Sequence, residues 1–516
     1  MEENSLKKLI SLSRIFLIYF LLHCLKAERS PFDISNRSSV TGSFLIAATG
    51  NNNSNQTTVS NNPTNTGGTN TSSNTPSNTP SIITFQYSQS TFTMYTGTSI
   101  SILAPSVSGG TVSSFSISPS LPTGLTLNGS TGAITGTPMG SAVNQDYTIT
   151  GKTQVADVTT TITLKIGSSA ASSVFGQTSF TLNGGGSGTN SLNGPYDLTF
   201  DSAGKLYVAD TNNNRVVAFA PTSSSAIQVF GQLGSFATTT VNNGGISPDS
   251  LSSPRGVTVD STGNLYISDY SNNRVLYFVS GSTTATRVYG QLGAYNTLTI
   301  NNGGVTADSN AGPYRSTVDS AGNLYVPNVF THRVLFYATG STTATRVYGQ
   351  LGIFTSNTAN NGGISADSLN APTGCIIDSS GNLYIADRQN NRVLFYLAGS
   401  TTATRVYGQL GSFTSNTANN GGITADSLNA PTGIAIDSTG NLYVADSLNN
   451  RVLFFPVGST TATRVYGQLD SFTSNTANNG GVSASSLNTP YAVAISNNKL
   501  HIADNGNNRI VVFYIP

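Results

Sequence analysis

Few residues in this chain could do chemistry. Across 516 residues there are three histidines, two cysteines and 22 Asp plus Glu. His23, His332 and His501 lie far apart, with no spacing suited to zinc. Without a neighbouring histidine, a serine or cysteine nucleophile lacks its usual base. The sequence therefore predicts no metal site, no catalytic residue and no cofactor. Cys375 aligns with Val257 and Ile434 of other copies of a repeat, which marks it as a small buried hydrophobe. Carboxylate pairs could do acid–base work. However, Asp210, Asp269, Asp387, Asp446 and Asp504 recur at one repeat position, and Asp201, Asp260, Asp319, Asp378 and Asp437 at another. Recurrence at a fixed period points to turn caps, or to partners for an arginine that recurs with them. That arginine falls at Arg215, Arg274, Arg333, Arg392, Arg451 and Arg509, at spacings of 59, 59, 59, 59 and 58 residues. One copy breaks the pattern. It has Tyr314 and Arg315 where three other copies read Thr-Gly or Arg-Gly, and Phe330 and His332 inside the segment that elsewhere reads Asp-x-x-Asn-Asn-Arg. Aromatic and arginine side chains are favoured binding anchors, so these four are candidate ligand contacts. Drift in a single copy is the alternative.

The elements that must hold these residues follow from the repeat. A period this long denotes one supersecondary unit copied in tandem. In the copy ending at Gln468, Gly433 to Asp437 alternates as a short strand, and Ser438 to Asn441 supplies turn chemistry. Leu442 to Val444 is a second strand, Asn449 and Asn450 form a turn, Arg451 to Phe455 is a third strand, and Arg464 to Gly467 a fourth. Four short strands in tandem copies fit propeller blades, whose apolar faces are buried only by stacking on neighbours. The fourth-strand signature Val-Phe/Tyr-Gly-Gln is offset. It occurs first at Val174, before any complete blade, and is missing after the sixth blade at Phe513 to Pro516. The early copy can fill the outer place of blade six and remove an open edge. The expected fold is all-β, with a six-bladed β-propeller over residues 172–516.

The pattern Leu428-Asn-Ala-Pro-Thr-Gly-Ile-Ala-Ile-Asp437, then Gly440-Asn-Leu-Tyr-Val-Ala-Asp446 and Asn449-Asn-Arg-Val452, resembles the NHL repeat. The resemblance implies a β-propeller acting as a protein- or RNA-binding platform, with a few relatives that are enzymes holding a metal in the central funnel. The blades here are long. Leu410 to Asn429, with Asn419-Asn-Gly-Gly422 inside, adds a loop that should crowd one face.

Upstream, Lys7, Lys8 and Arg14 precede an apolar run from Ile15 to Leu22, too short to span a bilayer. Residues 1–29 read as an export signal. Cys24, directly after Leu21, Leu22 and His23, resembles a loose bacterial lipobox of the spirochete lipoprotein kind, which implies lipidation of that cysteine. A plain secretory peptide and an uncleaved tail are the alternatives. Residues 30–81 form a tether, since Gly50 to Ser81 is nearly all Asn, Thr, Ser, Gly and Pro and cannot bury a core. Residues 82–170 carry alternating runs at Phe85–Tyr87, Ile100–Leu103, Phe115–Ile117, Leu125–Leu127, Tyr147–Ile149 and Ile162–Ile166, as in a β-sandwich. Leu121-Pro-Thr-Gly-Leu-Thr-Leu127 and Ser130-Thr-Gly-Ala-Ile-Thr-Gly-Thr-Pro138 resemble the Ig-like, cadherin-like domains of bacterial surface proteins. Calcium is not expected, because Asp146 and Asp157 are the only acidic residues between Ile82 and Ile166.

The formal net charge is +1, and residues 172–516 hold 15 Lys plus Arg against 16 Asp and no Glu. A nucleic-acid platform needs a basic stripe, and none is present. The expectation is an exported, lipid-anchored, monomeric protein of a bacterial cell envelope, at the outer membrane or cell surface, whose propeller binds a protein or glycan without catalysis. A metal-dependent lyase or hydrolase and a purely structural envelope protein are the competing readings.

Overall fold

The computed structural model describes residues 82–139 and 143–515. The export signal, Cys24 and the tether lie outside the described residues. The protein is all-β: an Ig-like domain followed by six four-stranded antiparallel sheets arranged as a ring.

In the first domain, alternation places every second side chain inward. Along Val143–Lys152, Tyr147 and Ile149 are buried on either side of the exposed Thr148. They join Phe92, Phe115, Ile134, Ile162 and Leu164 in one core. The main sheet orders Thr91–Tyr95, Val158–Gly167, Val143–Lys152 and Ser114–Ser118. Three strands were not evident as alternating runs: Thr91–Tyr95, Ser106–Ser108 and Ile134–Gly136. Ser106–Ser108 is exposed at all three positions, so it carries no inward pattern to detect.

Blade five shows how a repeat builds its sheet. Its strands are Pro431–Ile436, Leu442–Asp446, Arg451–Phe455 and Arg464–Tyr466. Leu442 and Val444 face blade four, where they meet Tyr384 and Ala386. Tyr443 and Ala445 face blade six and meet Leu500 and Ile502. Both faces of the sheet are thus buried. An edge-to-face aromatic pair recurs at every interface: Phe230–Phe278, Tyr289–Tyr337, Tyr348–Tyr396, Tyr407–Phe455 and Tyr466–Phe513, with ring centroids 5.1–5.5 Å apart. The sixth pair, Phe175–Phe219, joins the early strand to blade one at 5.5 Å. Ser173–Phe175 pairs with Arg509–Tyr514, with Val174 opposite Val511, and so supplies the outer strand of blade six.

The repeated arginine and aspartate form the bracket between strands two and three. In blade five Arg451 Nε donates to Asp446 Oδ2 (2.8 Å), and both side chains are fully buried. Arg451 Nη1 reaches Phe472 O (2.6 Å), and Nη2 reaches Thr424 O (3.0 Å) and Ser427 O (2.9 Å). One guanidinium therefore pins the long loop before its blade and the loop after it. A second latch uses Asn450, whose φ of +52° suits the left-handed region that asparagine tolerates. Its Oδ1 accepts from Thr489 N (2.7 Å) in the next blade.

The arginines that open the fourth strands, Arg287, Arg346 and Arg405, lie over the rings of Tyr277, Phe336 and Phe395 in their own blades. They are not a phosphate track. Arg464 is the exception. It sits 3.3 Å from the ring centre of Tyr95 in the Ig-like domain, and its Nη2 donates to Ser168 O (2.7 Å). The fourth-strand arginine of blade five is thereby diverted to hold the two domains together.

Candidate binding site at the mouth of the central channel

The first strands of the six blades touch one another around the axis, so their side chains line the channel. Each begins with, or follows closely on, Pro-x-y at the loop-rich face. Position x reads Tyr196, Arg255, Tyr314, Thr373, Thr432 and Tyr491 around the mouth. Position y, one step deeper, reads Asp197, Gly256, Arg315, Gly374, Gly433 and Ala492.

The deeper layer is a plug. Arg315 Nε donates to Asp197 Oδ1 (2.5 Å), with side-chain exposures of 11% and 2%. Asp197 Oδ2 accepts from Val257 N (2.8 Å), and Oδ1 also accepts from Leu198 N (2.8 Å). Burial pushes the Asp197 carboxyl up, while Arg315 and these N–H groups pull it back. Arg315 Nη2 reaches Val493 O (3.4 Å), and a Cβ at residue 433 would collide with Arg315 Nη1. Glycine in blade five is therefore the space that the guanidinium fills. One pair from blades one and three thus touches blades two, five and six. Beyond it, a cavity of about 200 Å³ is lined by Val257, Ile376, Ile434, Ile436, Val493 and Cys375, among others. Cys375 is buried, and burial pushes its thiol up, away from the thiolate needed for nucleophilic attack.

The outer layer is an arc of aromatic and cationic side chains. Tyr196 and Tyr491 stack at 4.4 Å with ring planes 13° apart. The Arg255 guanidinium lies 3.7 Å from the Tyr270 ring centre, 4.8 Å from Tyr196 and 5.2 Å from Tyr314. Its Nη1 donates to the Tyr314 hydroxyl (3.0 Å). Burial pushes the Tyr314 hydroxyl up, and Arg255 opposes that shift. Phe330 packs against Tyr270 at 5.7 Å and is 49% exposed. Arg388 occupies the repeat position that Tyr270 holds in blade two. On the other side of the mouth, Thr432 and Ser447 spend their hydroxyls on Tyr491 O (2.8 Å) and Pro490 O (2.6 Å).

The four residues singled out in the sequence separate. Tyr314 and Phe330 belong to the arc, with Tyr314 itself buried. Arg315 is committed to Asp197 inside the channel and is not available at the mouth. His332 lies at the latch position, with φ +50°, and its Nδ1 accepts from Ala371 N (3.1 Å) as asparagine Oδ1 does in other blades. Burial lowers its pKa, which suits an acceptor nitrogen. Arg315 and His332 thus both make contacts within the scaffold. Tyr196, Arg255, Tyr270, Arg388 and Tyr491 were missed. Reading the residue after the repeat proline across all six copies would have found three of them.

Blade three also lacks its bracket carboxylate. Asn328 replaces aspartate, with Oδ1 accepting from Ala311 N (2.7 Å). Arg333 is fully buried, and among the described residues it has no ion pair and no partner for Nε. Burial without a carboxylate lowers its pKa to about 10. Among the described residues no three or more His, Cys, Asp or Glu side chains gather as a metal site would require.

The family model described as "Putative Ig domain" matches residues 84–167, and that described as "NHL repeat" matches residues 192–219, 251–278 and 428–455. No curated protein matches the chain. Among solved structures, a structural genomics protein of unknown function from Bacteroides thetaiotaomicron is similar at 15% identity, over 85% of this chain and 98% of that one, with a TM-score of 0.47. Streptogramin B lyase is similar at 15% identity over 67% and 87%, with a TM-score of 0.38. Virginiamycin B lyase from Staphylococcus aureus is similar at 12% over 64% and 98%, with a TM-score of 0.37. The chain thus carries a domain that matches the first family, followed by a ring in which blades one, two and five match the NHL repeat.

Proposed function

We propose that this is an exported, lipid-anchored protein of a bacterial envelope, and that its propeller binds a protein or glycan ligand at the channel mouth without chemistry. The observation that supports this reading most is the break in symmetry at the mouth. Residues that serve the scaffold repeat in nearly every blade, whereas Tyr196, Arg255, Tyr270, Tyr314, Phe330 and Arg388 do not form a repeated set. Aromatic rings and arginine at a half-exposed, preorganised patch are the composition of binding hot spots. The patch lies on the face crowded by the long loops, which is where variation is tolerated.

The test has two arms. Protease treatment of intact cells should remove the propeller. Labelled full-length chain should bind members of a panel of immobilised polysaccharides and surface proteins, and Tyr491→Ala with Arg255→Gln should weaken that binding at least tenfold. A propeller protected in intact cells would sink the surface reading. Equal binding by the variant would sink the mouth as the site.

A further inference from the structure

We infer that the outer rim of the ring carries four equivalent grooves, one at each junction from blades one and two to blades four and five. Each holds one unit of an uncharged, hydroxyl-rich polymer, a neutral polysaccharide. These sites are separate from the mouth. The groove between blades three and four has a volume of about 250 Å³, and Leu351, Asp367, Thr401 and Thr402 line it. Between blades four and five the same positions, Leu410, Asp426, Thr460 and Thr461, line a groove of about 310 Å³. The first two junctions carry the same residue types. One has Leu233, Asp249 and Thr283-Thr284, and the other Leu292, Asp308 and Thr342-Thr343. A backbone bond sets each threonine pair beside its aspartate. Ala403 N donates to Ala366 O (3.2 Å), and the equivalent bonds at the other three junctions measure 3.1–3.3 Å.

Repetition here is not explained by the scaffold. The bracket aspartates are spent on arginine, but Asp249, Asp308, Asp367 and Asp426 are not. Each is half-buried and donates its own N–H to a hydroxyl two residues earlier (3.2 Å). Among the described residues no donor reaches their carboxylates. The leucines are equally out of place. Leu233, Leu292, Leu351 and Leu410 have φ of +50 to +52° and are 53–63% exposed. That backbone region suits glycine or asparagine and resists a bulky side chain, and most of each leucine still stays in water. Each groove therefore offers carboxylate acceptors, two exposed threonine hydroxyls and a patch of methyl groups, and no cation lines it.

That set matches a sugar unit, whose hydroxyls donate to a carboxylate and whose C–H groups meet leucine. The aspartates repel an acidic polymer. A basic one meets like charge three residues after each threonine pair, at Arg287, Arg346, Arg405 and Arg464. A single folded partner gains nothing from four identical contacts around a rim, whereas a polymer presents the same unit to each. At the other two junctions the set is broken. Ser485 stands where the aspartate would be, near Leu469, and Thr178 replaces the leucine at the seam, where Asn190 Oδ1 accepts from Ser225 Oγ.

Affinity electrophoresis of the full chain tests this, in gels containing dextran, mannan, galactan or soluble β-glucan, with polygalacturonate and polylysine as charged controls. At least one neutral polymer should retard the chain. Asp367→Asn alone should weaken that binding a few-fold. Asp249→Asn, Asp308→Asn, Asp367→Asn and Asp426→Asn together should weaken it about a hundredfold or more, because linked sites multiply avidity. Asparagine keeps the side-chain shape, so the melting temperature should hold. Leu233→Asn, Leu292→Asn, Leu351→Asn and Leu410→Asn together should also lose binding, with melting unchanged or raised, since asparagine tolerates that backbone. Tyr491→Ala at the mouth should leave the retardation as it is. Four outcomes would each overturn the proposal: no retardation by any of the neutral polymers, equal retardation of the fourfold aspartate variant, stronger retardation by either charged polymer, or loss of retardation in Tyr491→Ala.

Discussion

Blade three shows what a single lost charge does. Five blades bury arginine with aspartate; blade three buries Arg333 beside Asn328, leaving Arg333 Nε, Thr331 Oγ1 and Asn310 Nδ2 without partners. A lone buried charge is costly, and removing one partner of such a pair typically costs about 3–5 kcal/mol. Asn328→Asp is therefore expected to stabilise the protein by about 2 kcal/mol at neutral pH, read as a higher urea midpoint. A lower midpoint would show that Arg333 is satisfied in another way. His501 offers a second test. It is buried against Phe200, where the five other blades carry tyrosine, and burial lowers its pKa to about 4. Its unfolded value is about 6.5, so the unfolded chain binds the extra proton first. The stability contributed by neutral His501 is complete above about pH 6.5 and is lost as pH falls toward 4, by about 3 kcal/mol in all. In His501→Gln the difference in unfolding free energy between pH 7 and pH 4.5 should shrink by about 2 kcal/mol relative to the native chain. An unchanged difference would mean that His501 is protonated in the fold.

Elements were legible where one side-chain period governs them. Leu442 to Asp446 declares its strand by alternation, and its turn by Asn449 and Asn450, in nearly every copy. The Asp197–Arg315 plug was hidden because each half reads as one irregular residue, and the partners are 118 positions apart. The available sign was that both stand where other copies place glycine or alanine. The mouth arc was missed for the same reason: five blades supply it, and only blade three looked irregular alone. Two substitutions in the plug test its worth. Arg315→Met should destabilise by about 3 kcal/mol, since it strands a buried carboxylate. Adding Asp197→Leu should recover part of that loss, as a double-mutant cycle would show. Full additivity would mean that the two side chains do not act as a pair.

At the scale of the molecule, the ring is closed by one three-residue strand and the contacts beside it. Ser173–Phe175 gives blade six its fourth strand, and Phe175 supplies the sixth interblade aromatic pair. Gln177 Nε2 donates to Asn508 O (3.1 Å), and Gly194 N donates to Asn508 Oδ1 (2.7 Å), so both latches span the seam. The offset count of fourth-strand signatures made this seam visible in the sequence, because each blade must have four strands. Replacing Ser173–Phe175 with Gly-Ser-Gly should lower the melting temperature and expose the Arg509–Tyr514 edge to self-association. Chromatography coupled to light scattering would detect the oligomers. A monomer with native melting would show the seam to be dispensable.

The seam also imposes an order on the life of the chain. Ser172 and Val512, bonded across it, stand 340 residues apart. A strand made early must wait for one made late, with five blades assembling in between. A product cut short before Arg509 keeps every earlier repeat but leaves Phe175 and the flank of blade one uncovered. Until Arg509–Tyr514 has been made, Ser173–Phe175 has no strand to pair with, and an unpaired edge of that kind invites association with other chains.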